Sequence, residues 1–365
     1  MTASRMRYIL SLMIFIGFMF SAPAKDTPED RLKKILNADN TAITEIAGWI
    51  ENNKETLRTS ASEREFFAIR IRQRLNGIRR QYQDFLKDHP KNTKARIAYG
   101  SFLNHIDDRK EALDQWEKAL TTDPGNAAAL NNIATHIGTI AIQSNLRKRI
   151  PEAFRSLERA IVLAPKVALY RHNYATTLSV FQLEAVLHYK IKAKQVTQRA
   201  LDHLKIGMKL APDDFEIAAD RAETFLDLKP VPRQPALKAW EAARKRAKDQ
   251  RQHDWVKLQV AIVNLETGHL ESAEKSLNLV SQKSYVNLVD RLRSALAQKR
   301  KEKKLLLERR QKTFMDSAKP PVAQDTNNIA RFYIRRNVTD DGRHIRQISR
   351  LLAGGIQNLH QPLRF

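Results

Sequence analysis

The chain has 365 residues, 64 Lys and Arg against 40 Asp and Glu, a formal net charge of +24, no cysteine, and only 11 Gly and 13 Pro. Lack of a thiol excludes disulfides, Cys-type zinc sites, thiol catalysis and a lipid-modified cysteine, and it suits an oxidising compartment. Long stretches of Ala, Leu, Glu, Lys and Arg favour helix over strand, and the charge predicts attraction to anionic surfaces or polymers.

Residues 1–24 read as a signal peptide. Arg5 and Arg7 precede the apolar run YILSLMIFIGFMF (8–20), and SAPA (21–24) supplies small residues at Ala22 and Ala24. That order is the one a secretory signal requires. The run is shorter than the ~20 residues of a bilayer span. A cleaved signal and an uncleaved inner-membrane tether both remain open, and either one predicts an exported chain, periplasmic or secreted. No other segment reads as a membrane span.

Residues 25–75 are expected to form a helical N-terminal cap. PEDRLKKILN (28–37) and TAITEIAGWIEN (41–52) predict two short helices. Ser62 and Glu65 have capping-box spacing and predict a long amphipathic helix from Glu63 to about Lys87. An amphipathic helix at the end of a repeat array covers its exposed core.

Residues 76–282 repeat. Ala112, Trp116 and Ala119 are spaced four then three, so they share a helix face, and Pro124 stops that helix. Gly100 lies earlier, within ARIAYGSFLN (95–104). The unit recurs as Ala134 with Ala153, Leu157, Ala160 and Pro165, then as Ala175 with Ala200, Leu204, Gly207 and Pro212. It recurs again as Ala222 with Ala236, Trp240 and Ala243, and as Ala261 with Ala273, Leu277 and Val280. Small residues let paired helices approach closely, and the bulky residue between them fills the remaining hole.

This pattern resembles the tetratricopeptide repeat family, whose period is 34 residues with Pro after the second helix. Pro90 to Pro124 spans 34, and Ile78, Tyr82, Phe85 and Pro90 form a preceding half-unit. The resemblance covers about residues 76–282. It implies an all-α, right-handed solenoid of helix pairs. The chain departs from the family where Pro124 to Pro165 spans 41 residues and Pro165 to Pro212 spans 47. The extra residues fall in GTIAIQSNLRKR (138–149) and FQLEAVLHYKIKAKQ (181–195), which are expected to project from one face. The last two units lack the closing Pro, and Arg96 and Arg171 occupy slots that are usually bulky.

No motif points to catalysis. The His residues lack metal-ligand spacing, and there is no Gly-rich phosphate loop or nucleophile elbow. Asp107–Asp108, Asp213–Asp214 and Asp340–Asp341 read as caps and turns. The expectation is a non-enzymatic chain with no cofactor and no metal.

The resemblance implies a concave groove lined by the first helix of each pair. The matching slots are Lys94, Ile97, Ser101, Asn104 and His105, then Asn131, Thr135 and Thr139. His172, Thr176 and Ser179 follow, and then Glu216, Glu223 and Asp227. Asn132 and Asn173 lie beside them. Amides donate and accept, which suits the backbone of an extended peptide. Asn104, His105, Asn131, Asn132, Thr135, His172, Asn173 and Thr176 are therefore the candidate residues for a protein or peptide partner. Ile97 and Ser101 stand where carboxylate-clamp members use Lys and Asn, so that mode is not expected.

Residues 283–316 predict one long helix over SYVNLVDRLRSALAQKRKEKKLLLERRQK (284–312), whose apolar start should pack on the last unit. Its later part carries Lys299, Arg300, Lys301, Lys303, Lys304, Arg309, Arg310 and Lys312 against Glu302 and Glu308. The basic tail, 317–365, holds the linker KPPVAQDTNN (319–328) and the amphipathic segment RHIRQISRLLAGG (343–355). In that segment Arg343, Arg346 and Arg350 flank Ile345, Ile348, Leu351 and Leu352. Two readings stand: a solvated charged face, or contact with an anionic envelope surface, phospholipid or polymer. Nucleic acid is disfavoured by export and by the few stacking aromatics, Phe332 and Tyr333.

Overall fold

A computed structural model describes residues 26–144 and 147–317, with side chains as far as Thr313. The expected signal segment, the 319–328 linker and the tail arginines Arg343, Arg346 and Arg350 lie outside the described residues. Among the described residues there are fifteen α-helices, three short 3-10 turns and no strand. The chain divides into two compact units between Pro90 and Lys91.

The first unit holds α1 (Pro28–Asn52), α2 (Lys54–Thr59) and α3 (Ala61–Asp88). Thr27 and Asp30 form a reciprocal capping box at the start of α1. The two short helices expected over 28–52 are one. Residues 38–40 continue the helix, and within them the Asp39 carboxylate accepts a hydrogen bond from Tyr82 Oη at 2.8 Å, which ties this stretch to α3. The cap of α3 is Ser60, whose Oγ accepts from the Glu63 N–H at 3.2 Å. It displaces the expected Ser62–Glu65 box, and Ser62 hydrogen-bonds Ser60 instead. α3 crosses residue 75 unbroken and buries Ile78, Tyr82 and Phe85 completely.

The second unit is a succession of helix pairs. α4 (Thr93–His105) pairs with α5 (Arg109–Thr122), and α6 (Ala127–Gln143) with α7 (Ile150–Leu163). α8 (Ala168–Val180) pairs with α10 (Ala193–Leu210), with α9 (Gln182–Tyr189) between them in sequence. α11 (Phe215–Thr224) pairs with α12 (Arg233–Arg244), and α13 (Gln250–Glu266) with α14 (Leu270–Asn278). Each helix of a pair packs most heavily on its pair-mate and next, α14 excepted, on a helix of an adjoining pair. Side chains of Asn92, Asn126, Asp214 and Asp249 cap α4, α6, α11 and α13. Four of the five first helices thus start on the residue types that satisfy orphan N–H groups best.

The recurring small residues form the contact seams. Ala134, Ala175, Ala222 and Ala261 on first helices have no exposed surface. The same holds for Ala112, Ala119, Ala153, Ala160, Ala200, Ala236, Ala243 and Ala273 on second helices. Gly100 is buried too, and a Cβ there would sit 2.5 Å from Trp116 Nε1. Trp116 uses the space to donate to the Ile97 carbonyl at 3.2 Å. The loop prolines Pro124, Pro165 and Pro212 lie just past α5, α7 and α10.

The described residues of the two insertions are mostly helical. The first extends α6 to Gln143 before a 3-10 turn at Arg147–Arg149. The second is mostly α9, which packs on α7, α8 and α10 and buries Ala185. Phe181 and Ala185 are apolar at helical spacing, so the segment gains more by covering its neighbours than by standing in water. Arg147 reaches back to Glu184 at 3.0 Å, joining the two insertions.

α15 (Val286–Ser317) is one continuous helix after a 3-10 turn at Lys283–Tyr285. Its start packs on the last pair. Val289 joins Leu258, Ala261 and Leu277, and Leu296 joins Leu265, Leu270 and Ala273. Residues 300–313 are exposed.

Candidate functional site

The face made by the first helices α4, α6, α8 and α11 is joined by hydrogen bonds between side chains. Asn132 on α6 lies 3.2 Å from Ser101 Oγ on α4 and 3.2 Å from the side-chain nitrogen of Asn131. Asn173 Nδ2 on α8 donates to Asn131 Oδ1 at 2.8 Å. His172 Nε2, also on α8, lies 2.7 Å from Asp220 Oδ2 on α11. Thr176 Oγ1 donates to the same oxygen at 3.3 Å. A polar ladder therefore spans four consecutive pairs.

The electrostatics change along it. The rungs from α4 to α8 are uncharged amides and a hydroxyl. The rung from α8 to α11 titrates. Burial opposes a charge on His172, but the Asp220 hydrogen bond and the charges of Asp220, Asp214 and Glu216 raise its pKa above the usual imidazole value. Burial, then repulsion from Asp220 and Asp214, pushes the Glu216 carboxyl up to about 7. A carboxyl so placed is partly protonated at neutral pH and can donate as well as accept.

The structure sorts the sequence-derived candidates by depth. Asn131 and His172 are 3% and 7% exposed, inside the ladder. Asn132, Thr135, Asn173 and Thr176 are half-buried, and Asn104 and His105 are exposed. Thr135 and Thr139 donate to carbonyls of their own helix at 2.9 and 3.0 Å. Ile97 does not line the face. It is buried with Ala119 and Ala129, because the position turns toward the pair-mate α5. Glu223 is buried as well. Slot reasoning missed Asp220, which ties α8 to α11. Its position four residues after Glu216 places it on the same helix face, and that spacing was available in the sequence.

The basic helix divides in the same way. Lys299 Nζ donates to the Leu265 carbonyl at 3.1 Å. Arg300 makes a two-pronged pair with Glu274 at 3.1 and 2.7 Å. These two residues fasten α15 to α13 and α14. Lys304 lies 3.9 Å from Glu308, and Lys301, Lys303, Arg309 and Arg310 are exposed. Among the described residues no group of His, Asp and Glu is placed to hold a metal ion, and no helix is long and apolar enough to cross a membrane.

No protein-family model and no curated protein matches the chain. Among solved structures the chain is similar to that of PilW, described as a widely conserved type IV pilus biogenesis factor. The identity is 15%, the TM-score 0.44, and the match covers 56% of this chain and 84% of that one. It is similar to pilF of Pseudomonas aeruginosa at 16% identity and TM-score 0.41, over 67% and 90% of the two chains. It is also similar to a thermophilic TPR protein of Thermus thermophilus, TTC0263, at 18% identity and TM-score 0.40, over 56% and 99%. The all-α fold of stacked helix pairs rests on the packing of α4 to α14 themselves.

Proposed function

We propose that the chain is a non-enzymatic, exported adaptor that binds an extended segment of a protein partner across the first-helix face. One observation carries this reading: the ladder from Ser101 to Asp220 locks the inner polar groups and leaves a row of half-buried and exposed amides, hydroxyls and an imidazole beside it. Groups held in place before binding lose little freedom on binding. Amide and hydroxyl rows match the alternating donors and acceptors of an extended backbone. Export rests on the composition of residues 1–24.

The test compares partners recovered from an envelope extract by the full chain and by a variant with Asn104, His105, Thr135 and Thr176 all changed to Ala. Loss of a partner with unchanged thermal melting supports the reading. Equal recovery of every partner removes the face from the account.

A second reading is favoured by the exposure of Lys301, Lys303, Arg309 and Arg310 on α15. In it the basic C-terminal region binds an anionic membrane or envelope polymer. It predicts binding of the full chain to phosphatidylglycerol vesicles that weakens steeply with salt. Changing those four residues to Glu should abolish it. Binding that ignores salt would rule it out.

A further inference from the structure

The insertion after α8 builds a second site, away from the first-helix ladder. α9 delivers Tyr189 to a cluster on α7, α8 and α10. Tyr174 Oη and Tyr189 Oη both donate to Glu158 Oε1, at 2.7 and 2.9 Å. The Arg199 guanidinium lies over the Tyr189 ring, 4.3 Å from its centroid. Beside these groups opens a cleft of about 320 Å³, lined by Glu158, Ile161, Val162, Tyr174, Arg199 and His203. That volume is at the lower end of small-ligand sites, which run from about 300 to 1,000 Å³.

The polar groups of the cleft are unequally satisfied. One oxygen of Glu158 is taken by two phenols. Arg199, among the described residues, makes one hydrogen bond, to Tyr174 Oη at 3.3 Å, and its distance to Glu158 is 3.8 Å. His203 stands edge-on to Tyr174 at 4.7 Å, and its Nδ1 is buried with no hydrogen-bond partner. Burial, then the charges of Arg171 and Arg199, lowers the His203 pKa to about 4, against weaker opposite effects of Glu158 and Asp202. The ring is neutral at pH 7, and the net field on it is positive. A cation would stand against the Arg199 guanidinium, which already covers the aromatic face of Tyr189. Val162, 78% exposed, and Ile161 give the cleft an apolar wall.

We propose that this cleft binds a carboxylate carried on an apolar body. Arg199 takes the carboxylate oxygens, the neutral His203 ring adds no competing charge, and Ile161 and Val162 cover the body. α9 is the structural reason the site exists, since Tyr189 shares Glu158 with Tyr174 and leaves Arg199 with donors to spare.

The test uses the full chain at neutral pH and three probes with one body: phenylbutyrate, phenylbutanol and phenylbutylamine. Titration calorimetry and ligand-observed NMR should show the acid binding at least about tenfold tighter than the alcohol, as a hydrogen-bonded charge would give, and the amine binding weakest. Arg199→Gln should bring the acid down to the alcohol, and Arg199→Lys should retain part of the preference. Val162→Ser, at an exposed position, should weaken acid and alcohol alike without changing the melting temperature. Thr176→Ala, on the first-helix face, should change neither, so the outcome is separable from that of partner binding. A tripeptide ending in Phe, with its terminus free or amidated, tells a chain end from a free acid as the source of the carboxylate. The proposal is overturned if no probe binds, if the amine binds as well as the acid, or if a folded Arg199→Gln protein binds the acid like wild type. Should Arg199→Gln fail to fold, the probe series and Val162→Ser decide.

Discussion

The first and fourth helix pairs place a tryptophan in the same slot and surround it differently. Trp116 stands between Ala112 and Ala119 and faces Gly100; its N–H reaches the Ile97 carbonyl. Trp240 stands between Ala236 and Ala243, packed with Phe215, Ala219 and Ala222. It has no exposed surface, and its Nε1 has no hydrogen-bond partner. The two ladders differ in parallel. The first pair is joined to the next by neutral Ser101 and Asn132, whereas the fourth is joined to the third by Asp220 and His172 beside Glu216. One repeat position therefore serves two regimes. Glycine lets an indole reach a backbone carbonyl; alanine in the same slot gives an apolar seam and an unmet donor.

The largest break in this comparison should come from Gly100→Ala. The new Cβ would lie 2.5 Å from Nε1 and 2.7 Å from Cδ1 of a buried indole, so Trp116 must move. Overpacking and the lost indole hydrogen bond should together cost about 3 kcal/mol in urea unfolding. The reverse change in the fourth pair, Ala222→Gly, should cost about 1 kcal/mol, the helical penalty for glycine. Equal costs would show that the close approach is not what the glycine provides.

Next in size is a pH effect centred where the third and fourth pairs meet, at His172, Asp220 and Glu216. The Glu216 carboxyl titrates near 7 in the fold against 4.5 for a free glutamate. Folding therefore favours its neutral form, and this contribution is whole below pH 4.5 and fades as pH rises to about 7. His172, also raised, contributes fully below its free value of 6.5 and loses that contribution as pH rises through its folded value. Glu216→Gln should remove roughly 2 kcal/mol of the decline between about pH 4.5 and pH 7.5. The difference between wild type and variant isolates the effect from His203, whose lowered pKa acts in the opposite sense as pH falls below 6.5. Hydrogen-exchange protection, corrected for the base-catalysed intrinsic rate, should fall with rising pH in α8 and α11 and not in α4 and α6, where burial lowers the pKa of His105 and His136. A pH dependence of equal size in both regions would place the titration elsewhere.

What the sequence made legible follows from what spacing encodes. Intervals of three and four report a shared helix face, so the alanine seams and both tryptophan slots were visible from the letters alone. Spacing reports direction but not depth. Asn131 and His172 were readable as facing the groove, yet their burial depends on Asn173 and Asp220 arriving from neighbouring helices. Polar type was a poor guide to capping where two serines stood close together, since Ser60 and Ser62 differ only in which one meets the Glu63 N–H. The helix within 181–195 was hidden by its irregular length. Its role depends on Tyr189 meeting Glu158, a contact 31 residues apart that no local pattern predicts.

The smallest effect tests the two indoles directly. Replacing either tryptophan by Phe removes similar volume and leaves a similar cavity. In the first pair the change also removes the donor that meets the Ile97 carbonyl, although Ser101 Oγ still donates to that carbonyl at 3.0 Å, which limits the loss. In the fourth pair it removes a buried N–H with no partner and so relieves a desolvation cost. Trp116→Phe should therefore be the more destabilising of the two by about 1 kcal/mol, read as the difference in urea midpoint at constant slope. If Trp240→Phe proved equally costly, the indole of the fourth pair would be held by packing strong enough to outweigh its unmet donor, and the contrast between glycine and alanine seams would reduce to shape alone.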